Sequence, residues 1–348
     1  MFSVLSFHIQ LEDAPEDIYK KEHAALRKFN AGPGNWVVAA DLFNLKENYG
    51  FPMSYPSLRV ISLAAKLRVM EFEVTDSARR AKLLIEAWVD ASSRPFPLSW
   101  YQSSHLCILD RARQQAIGMG VTSSSVRRDL LRRKAATGRL HEDQYIKCNF
   151  QRVAYEQLLK ASPEHQDAHE RIRAKLKRWQ VSLVPRLAAD RSRSLLFRLK
   201  RLVQPRVQAA AWKTLWNGWC TRRRFQQAGT CLVCDSVTAR DCIEHYAFCG
   251  VFQEFRCNTL HLPRVRSLDQ FLMLEHTAWD DTRLILEAVA LFALYACFNF
   301  VRTKGRLEKQ ACIDMMERNC YHAVREHKLS SRALTFARSH GRTSLGHA

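Results

Sequence analysis

The chain has 348 residues, 47% of them hydrophobic, with 12 Gly, 10 Pro and a net charge of +20. This length is sufficient for two or three compact units, at the usual ~100–200 residues per domain. The composition excludes a low-complexity chain and no internal repeat is visible, so we expect a folded, mostly helical protein.

Hydrophobic periodicity and capping residues predict helices along the whole chain. The first begins near Asp13–Pro15, where Asp13 can cap the helix and Pro15 can occupy its first turn. The others carry apolar stripes and are predicted over Leu58–Phe72, Ala78–Val89, Leu106–Met119, Val126–Ala136, Asp143–Ala161, His169–Val184, Ser194–Val203, Leu268–Glu275, Asp281–Lys304 and Lys309–His327. We therefore predict a mainly α fold with no large sheet.

The middle of the chain holds nearly all of the excess positive charge. Residues 121–225 carry 25 Lys+Arg against 8 Asp+Glu, whereas residues 1–120 and 226–348 have net charges of only +1 and +2. A merely soluble helical surface would intersperse acids among the bases, so this concentration indicates a polyanion partner. We favour nucleic acid, either RNA or DNA, over an anionic membrane. The candidate phosphate ligands are Arg132, Arg133, Lys134, Arg173, Lys177, Arg178, Lys213, Arg222, Arg223 and Arg224.

A further helix places Trp212, Trp216 and Trp219 on one stripe with Leu215. Aromatic rings beside arginines can stack on unpaired bases. Aromatic residues at helical spacing are more often part of a core, and we favour that interpretation here. We expect these tryptophans to lock their helix against the segment that follows, which is too small to have a core of its own.

That following segment has the spacing of a metal site. Cys231 and Cys234 form a C-x2-C pair, and His245 and Cys249 form an H-x3-C pair after ten intervening residues. Two ligands from a tight turn and two from one face of a short helix suit a tetrahedral zinc ion. With four protein ligands and no open position, one structural zinc is predicted.

Other potential ligands lie nearby and leave the ligand set open. Cys220, Cys242, Cys257 and His261 flank the four favoured residues, and Cys242 has C-x2-H spacing from His245. A second metal would need partners that the sequence does not place, and Cys242 is also compatible with an ordinary buried thiol.

The C-terminal part contains one strongly apolar segment, Leu284–Val301. Its length approaches a membrane span, but Glu287 lies inside it, and a charge in a marginal span is costly. We therefore predict a buried core helix and no membrane partner. From Leu329 onward, small, polar and basic residues predict a disordered tail.

Cysteine usage indicates the compartment. Met1–Gln10 lacks the basic start of a secretory signal, and acidic residues follow it at once. Eleven cysteines, an odd number with a C-x2-C pair among them, fit reduced thiols and a metal better than disulfides. We expect an intracellular location, with the nucleus as one candidate compartment.

Three motifs together carry a family resemblance: Trp216–Phe225, the Cys231-x2-Cys234 pair, and Asp241–Cys249 with its Ile-Glu-His sequence. They resemble the zinc-binding region downstream of the polymerase in non-LTR (LINE-like) retrotransposon reverse transcriptases. The resemblance is sharp over about residues 205–256. It implies that the preceding helices correspond to the thumb and basic linker, and that the apolar segment near 284–301 corresponds to the helical segment that follows the zinc region.

The departures from that family concern catalysis. A reverse transcriptase needs carboxylates, usually an aromatic-x-Asp-Asp turn, to hold two metal ions. Neither Tyr-x-Asp-Asp nor Phe-x-Asp-Asp occurs, and Asp280-Asp281 lies downstream of the metal motif. Some members of the family carry an endonuclease marked by a Pro-Asp motif followed by a spaced acid and lysine. This motif is not found downstream of the metal motif either. We therefore expect a non-catalytic fragment that holds nucleic acid.

Two alternatives stay open. The chain could be an accessory part of an active RNA-directed DNA polymerase, with a catalytic reverse transcriptase partner supplying the palm. It could also be a zinc-stapled helical module that binds an acidic protein. The predicted organisation is a thumb-like helical region, a basic helical region, a CCHC zinc-binding module, C-terminal helices and a disordered tail, over residues 1–102, 103–226, 227–265, 266–328 and 329–348.

Overall fold

The computed structural model describes residues 16–30, 32–33, 36–72, 98–135, 141–162, 167–234, 236–325 and 327–335. The helix predicted over Ala78–Val89 and the last part of the predicted tail, residues 336–348, lie outside them. The chain divides into two compact units: unit 1 is Met1–Lys28 with Tyr55–His165, and unit 2 is Phe29–Ser54 with Gln166–Ala348. The predicted basic region, 103–226, is therefore shared between the two units.

The prediction of a mainly α fold without a large sheet is confirmed. Throughout the described residues the regular structure is helical, and the β structure is one isolated antiparallel bridge between Thr230 and Arg240. That bridge closes the small loop that carries the C-x2-C pair.

Unit 1 is a group of long helices around an apolar core. Its helices in the described residues are α1 (Glu16–Phe29), α4 (Leu58–Phe72), α5 (Leu98–Gly118), α6 (Ser123–Ala135) and α7 (Glu142–Ala161). Helix α4 packs against both α5 and α7, and α6 packs along α7. At the start of α4, the Glu22 carboxylate accepts a hydrogen bond from the Leu58 N–H at 2.9 Å, which satisfies a backbone donor that the helix leaves unpaired.

Unit 2 is built around one long apolar helix. Its α-helices in the described residues are α2 (Ala39–Phe43), α3 (Leu45–Tyr49), α8 (Ala168–Leu176), α9 (Pro185–Leu202), α10 (Pro205–Leu215), α11 (Ile243–Phe248), α12 (Gly250–Leu260), α13 (Leu268–Phe271), α14 (Asp281–Lys304) and α15 (Lys309–Val324). The apolar helix is α14. Helices α10, α12 and α15 pack against it, and α9 joins α8 and α10 to the same core.

Two predicted helices of unit 2 are shorter than expected. The helix predicted over His169–Val184 ends at Leu176, and a new helix begins at Pro185. Proline disfavours a helical conformation in the residue before it, so Val184 is extended and the next helix begins with Pro185. The helix predicted over Leu268–Glu275 is only a single turn, Leu268–Phe271, and Met273 has a positive φ of 57° just after it.

Helix α14 is buried, as predicted for a core helix. Among the described residues it is the one helix long and apolar enough to cross a membrane, with a mean hydropathy of 2.1, and 72% of that stretch is buried in the protein. Glu287, the charged residue within the apolar segment Leu284–Val301, is also buried and forms an ion pair with Arg256 of α12 at 2.5 Å. The Arg256 guanidinium also donates a hydrogen bond to the Pro263 carbonyl at 2.9 Å, which further offsets the cost of burying the ion pair.

The prediction of a disordered tail from Leu329 is wrong for its first residues. Residues 328–335 are helical. Ser330 and Leu334 are buried, and the Ser330 hydroxyl donates to the Leu202 carbonyl at 2.9 Å. Because Leu334 contributes apolar surface to the core of unit 2, this stretch is held by packing although its composition is polar.

Candidate metal centre and its basic surroundings

The C-x2-C pair lies on a short hairpin closed by backbone hydrogen bonds. The Cys231 N–H donates to the Ala239 carbonyl at 2.7 Å, and the Asp241 N–H donates to the Gly229 carbonyl at 3.1 Å. Within the turn, the amides of Val233 and Cys234 both point at the Cys231 sulfur at 3.4 Å. Amide donors around a sulfur are typical of a site that stabilises a thiolate.

The four predicted ligands converge. The ligand atoms of Cys231, Cys234, His245 and Cys249 all lie within 4.8 Å of one another. The Cys234 Sγ and His245 Nε2 atoms are 3.3 Å apart. A tetrahedron with metal–sulfur bonds of about 2.3 Å has edges of about 3.8 Å, so these positions suit one ion at the centre of the group. The cluster can therefore hold one metal ion.

The second ligand pair comes from a helix junction, where a single helix was predicted. Helix α11, which carries His245, ends at Phe248, and α12 begins at Gly250. Cys249 lies between them with φ −57° and ψ 125°, outside the helical region. The break turns the Cys249 side chain into the buried cluster while α12 continues toward the core.

The thiols of the cluster influence one another. The hydrogen bond with Cys249 lowers the pKa of the Cys231 thiol to about 4. The same bond, together with burial, raises the pKa of Cys249, and burial raises the pKa of Cys234. Negative charge is thus concentrated on one sulfur, because like charges at this separation repel. A divalent cation removes that repulsion, so three thiols and an imidazole at this spacing form a good metal site.

Asp241 and Tyr246 connect the hairpin, the helix and the preceding arginines. The Tyr246 hydroxyl donates to Asp241 Oδ1 at 2.7 Å, and the Arg222 N–H donates to Asp241 Oδ2 at 2.8 Å. Both side chains are almost completely buried, and burial raises the pKa of each. Because each carboxylate oxygen has its donor, Asp241 fixes the position of Arg222–Arg224, which we call the arginine turn, relative to the candidate metal ligands.

The hairpin with Cys231 and Cys234 and helix α11 together form what we call the metal module, and Trp219 attaches this module to the core of unit 2. Its ring centroid lies 5.6 Å from that of Tyr246 on α11 and 5.1 Å from that of Phe298 on α14. Its indole N–H donates to the Thr214 hydroxyl at 3.0 Å. Trp212 and Trp216 are also buried, packing on Tyr49. The core interpretation of the tryptophans is therefore confirmed, although Trp219 lies in the loop after the helix.

The other nearby cysteines and histidines do not join a second cluster. In the part of the chain that the structure describes, the group of four is the one set of three or more Cys, His, Asp or Glu side chains close enough to share an ion. Cys242 instead interacts with the guanidinium of Arg223, whose pKa it raises.

Three of the predicted phosphate ligands meet beside the metal module. Arg223 and Arg224 form a 3₁₀ turn just before the hairpin, Arg223–Phe225. Partial burial lowers the pKa of Arg178, in the turn after α8, and the nearby charges of Arg224 and Arg223 lower it further. Arg171 and Lys175 on α8 belong to the same group, which we call the basic cluster: Arg171, Lys175, Arg178, Arg223 and Arg224.

Positive charge exceeds negative charge in the basic cluster. Burial, followed by the charges of Arg171, Arg224 and Arg178, lowers the pKa of Lys175 from 10.5 to about 8. The carboxylates that act on these groups are already ion-paired, Asp41 with Arg171 at 2.8 Å and Glu244 with Arg223 at 3.0 Å. A lysine whose charged form is destabilised by burial and by neighbouring cations is stabilised by an incoming anion.

The other predicted ligands are elsewhere. Arg173 pairs with Glu170 at 2.6 Å and lines, with Lys177, a separate cavity of unit 2. The Lys213 ammonium lies 3.3 Å from the Tyr295 hydroxyl and faces aromatic rings. Arg222 lines a cavity beside the hairpin. The remaining three are on α6 in unit 1: Arg132, Arg133 and Lys134. Whether any of the ten contacts nucleic acid stays a prediction.

Sequence reasoning did not single out Arg171, Lys175, Asp241 and Tyr246. The first two have a sequence signal, since Arg171, Lys175 and Arg178 are spaced four and three residues apart, which is one face of a helix. Asp241 and Tyr246 have none beyond their place next to the ligands, because their roles depend on burial.

Comparisons of the chain with protein-family models, with curated proteins and with solved structures found no match. The function of the site is therefore inferred from its own geometry and chemistry.

Proposed function

We propose that this chain is a non-catalytic nucleic-acid-binding protein in which a structural zinc ion holds a cluster of basic side chains in position. The observation that carries the proposal is the basic cluster beside the metal module. Its five cations come from two separate stretches of unit 2, and burial together with the neighbouring positive charges lowers the pKa of Lys175 and Arg178. Holding like charges close together raises the free energy of the folded protein, and a bound polyanion offsets that repulsion.

The metal module holds the arginine turn in position. Arg223 donates its backbone N–H to the Asp241 carbonyl at 3.2 Å, directly beside the hairpin that carries two ligands. Structural zinc sites contribute folding free energy to the segment that binds them. Three sulfur ligands and one imidazole favour zinc over magnesium or calcium, which prefer oxygen. Zinc would thus hold the arginine turn without taking part in a reaction.

The absence of catalysis is part of the proposal. Both members of the Asp280-Asp281 pair have structural partners: Asp280 Oδ1 accepts from the Arg283 N–H at 2.6 Å as the cap of α14, and Asp281 pairs with Arg198 at 2.6 Å. These contacts explain the pair without a catalytic metal. The resemblance to the zinc-binding region of non-LTR reverse transcriptases supports a role in holding nucleic acid, and it stays a prediction.

The test is a titration of the zinc-loaded chain with single-stranded RNA, single-stranded DNA and duplex DNA at several salt concentrations. A protein that neutralises phosphates releases counterions, so log K should fall linearly with log[salt], with a slope of about −0.9 for each phosphate on B-DNA and about −0.7 on single strands. From roughly three or more phosphates at the basic cluster, we expect a slope of about −3 or steeper on duplex DNA and about −2 or steeper on single strands. Absence of binding to all three, or binding that does not change with salt, would contradict the proposal.

A variant pair makes the test specific to the site. Arg178→Gln with Arg224→Gln removes two charges of the basic cluster, while the exposed Arg264 and Arg332 provide a matched double variant elsewhere in unit 2. The first pair should weaken binding and the second should not. Equal weakening by both would indicate attraction to the total charge and not to this site.

A further inference from the structure

A cavity of about 530 Å³ lies beside the metal-ligating hairpin, within unit 2. Its wall comes from three segments: Arg222 and Phe225 at the 3₁₀ turn, Thr230 on the hairpin, and Arg302 with Arg306 at the end of α14 and in the following loop. The volume falls within the range of about 300–1,000 Å³ that is usual for small-molecule sites.

The cavity carries a positive charge. Three guanidinium groups line it, from Arg222, Arg302 and Arg306, against one carboxylate, that of Asp241. Both oxygens of Asp241 already accept hydrogen bonds, from the Arg222 N–H at 2.8 Å and the Tyr246 hydroxyl at 2.7 Å. The last turn of α14 adds about half a negative charge, which the three arginines exceed. The cavity is therefore suited to an anion.

Two of these arginines are held in the wall by local structure. The Arg306 guanidinium donates to the Cys231 carbonyl at 2.9 Å and to the Thr230 hydroxyl at 3.0 Å. The Arg222 side chain lies against Gly229, where an added Cβ would collide with it. A larger residue at that position would displace the side chain. The cationic wall is thus attached to the backbone of a metal ligand.

The same cavity has one exposed aromatic ring. Phe225 lies in its wall and is 47% exposed, whereas Trp219 a few residues earlier is completely buried. Exposed apolar rings are common singly and need no explanation by themselves. Beside three arginines, however, such a ring has the arrangement of a stacking platform, with guanidinium groups for the phosphate and a ring face for the base.

We propose that this cavity binds one nucleotide unit, with its phosphate at Arg222, Arg302 and Arg306 and its base stacked on Phe225. An unstacked base is available in a single strand, at a strand end or in a free nucleotide, and not inside a duplex. The inference rests on the proposed function and names its substrate class as single-stranded nucleic acid or a free nucleoside phosphate.

The experiment compares ligands and matched variants on the full, zinc-loaded chain. Fluorescence anisotropy measures the binding of an octamer of uridine and of a duplex, and calorimetry measures the binding of UMP and of inorganic phosphate. The test variants are Phe225→Ala and Arg302→Gln. The controls are Phe300→Ala, an exposed phenylalanine on α14 outside the cavity wall, and Arg264→Gln, an exposed arginine.

We expect Phe225→Ala to weaken octamer binding by roughly tenfold or more, as is usual for loss of one base–aromatic stack, and to leave duplex binding nearly unchanged. Arg302→Gln should weaken octamer and UMP binding, and both controls should behave as the wild type. Octamer binding much tighter than UMP binding identifies a strand as the occupant, and equal affinities identify the free nucleotide.

The outcomes separate the two proposals. Octamer binding that is lost with Arg178→Gln and Arg224→Gln but unchanged by Phe225→Ala and Arg302→Gln would overturn the cavity assignment alone. A chain that binds no polymer contradicts the proposed function, and UMP binding that Phe225→Ala abolishes would still support the cavity. Inorganic phosphate binding as tightly as UMP, or UMP binding insensitive to both variants, would overturn it.

Discussion

The two units both contain basic helices, but their cations are in different electrostatic settings. In unit 1, Arg133 lies between Asp129 at 2.9 Å and Glu156 at 2.7 Å, and Lys134 faces Glu142 at 3.7 Å. The hydrogen bonds with Asp129 and Glu156 raise the pKa of Arg133. In unit 2, burial and neighbouring cations lower the pKa of Lys175 to about 8.

A count of charges along the chain therefore does not locate a polyanion site. Partly exposed ion pairs such as those of Arg133 contribute little to stability, but they reduce the field that a phosphate would experience. Cations gathered by the fold from separate stretches, and held there with few acids, produce a strong local field. On this ground we propose that the nucleic-acid interface, if the proposed function holds, lies in unit 2.

The largest effect is expected from loss of the metal. Cys231→Ser with Cys234→Ser should abolish binding of one zinc ion per chain and unfold the segment around residues 227–256, since structural zinc contributes on the order of 10 kcal/mol of binding free energy in small domains. Native mass spectrometry measures the zinc, and hydrogen exchange locates the unfolding. The arginine turn should lose its position in unit 2, while the exchange of unit 1 stays unchanged.

Cys220→Ser with Cys257→Ser is the matched control, because neither residue belongs to the cluster of four. This variant should keep its zinc. Retention of zinc by the Cys231/Cys234 variant, or equal loss in both, would show that the ligand set is wrong.

The next effect concerns the attachment of the metal module to α14. Trp219→Ala removes a completely buried ring that packs on Tyr246 and Phe298, so we expect the free energy of unfolding to fall by about 3–5 kcal/mol. Denaturant titration measures this change. Trp219→Phe, which keeps an aromatic ring, should cost less than half as much. If both variants are as stable as the wild type, Trp219 does not join the module to the core.

The comparison of the two basic regions is tested directly by two double variants. Arg178→Gln with Arg224→Gln in unit 2 should reduce the slope of log K against log[salt] by about 2, because two phosphates are then no longer neutralised. Arg132→Gln with Arg133→Gln in unit 1 should change the slope by less than about 1, because Arg133 is already paired with Asp129 and Glu156. The reverse order would place the interface on α6 and contradict our assignment.

The smallest effect is a pH dependence from Lys175. With a pKa of about 8, its charge is largely present at pH 7 and lost by pH 9. Nucleic-acid affinity at constant ionic strength should therefore fall severalfold between these values, because one cation of the basic cluster disappears. Lys175→Met should flatten this profile. An unchanged profile in the variant would assign the titration to another group.

As the pH rises, deprotonation of Lys175 should lower the nucleic-acid affinity but raise the free energy of unfolding. Its pKa in the folded protein lies below the ordinary value of 10.5, so the unfolded chain binds more protons between about pH 8 and pH 10.5. The contribution of Lys175 to the free energy of unfolding should rise with pH in that window and stay constant below it. Thermal unfolding of the wild type and Lys175→Met as a function of pH measures the difference.

Local patterns were sufficient for several elements. Leu58–Phe72 and Asp281–Lys304 were predicted with the bounds that the structure shows, because each has a clear cap or turn before it and a continuous apolar pattern. The four residues of the cluster that can hold a metal ion were also identified, since C-x2-C and H-x3-C spacings constrain their side chains locally. The helix predicted over His169–Val184 was too long, since the structure ends it at Leu176 and begins a separate helix at Pro185.

The sequence by itself determined the helical class, the candidate ligand residues and the excess of positive charge, since these depend on residue identity and short-range spacing. Only the tertiary structure decided which cations face acids, which of them gather beside the Cys/His cluster, and that Asp241 connects the hairpin to the arginine turn. Such relations join residues far apart in the chain, and the electrostatic energy between two charges depends on their separation in space and on their burial.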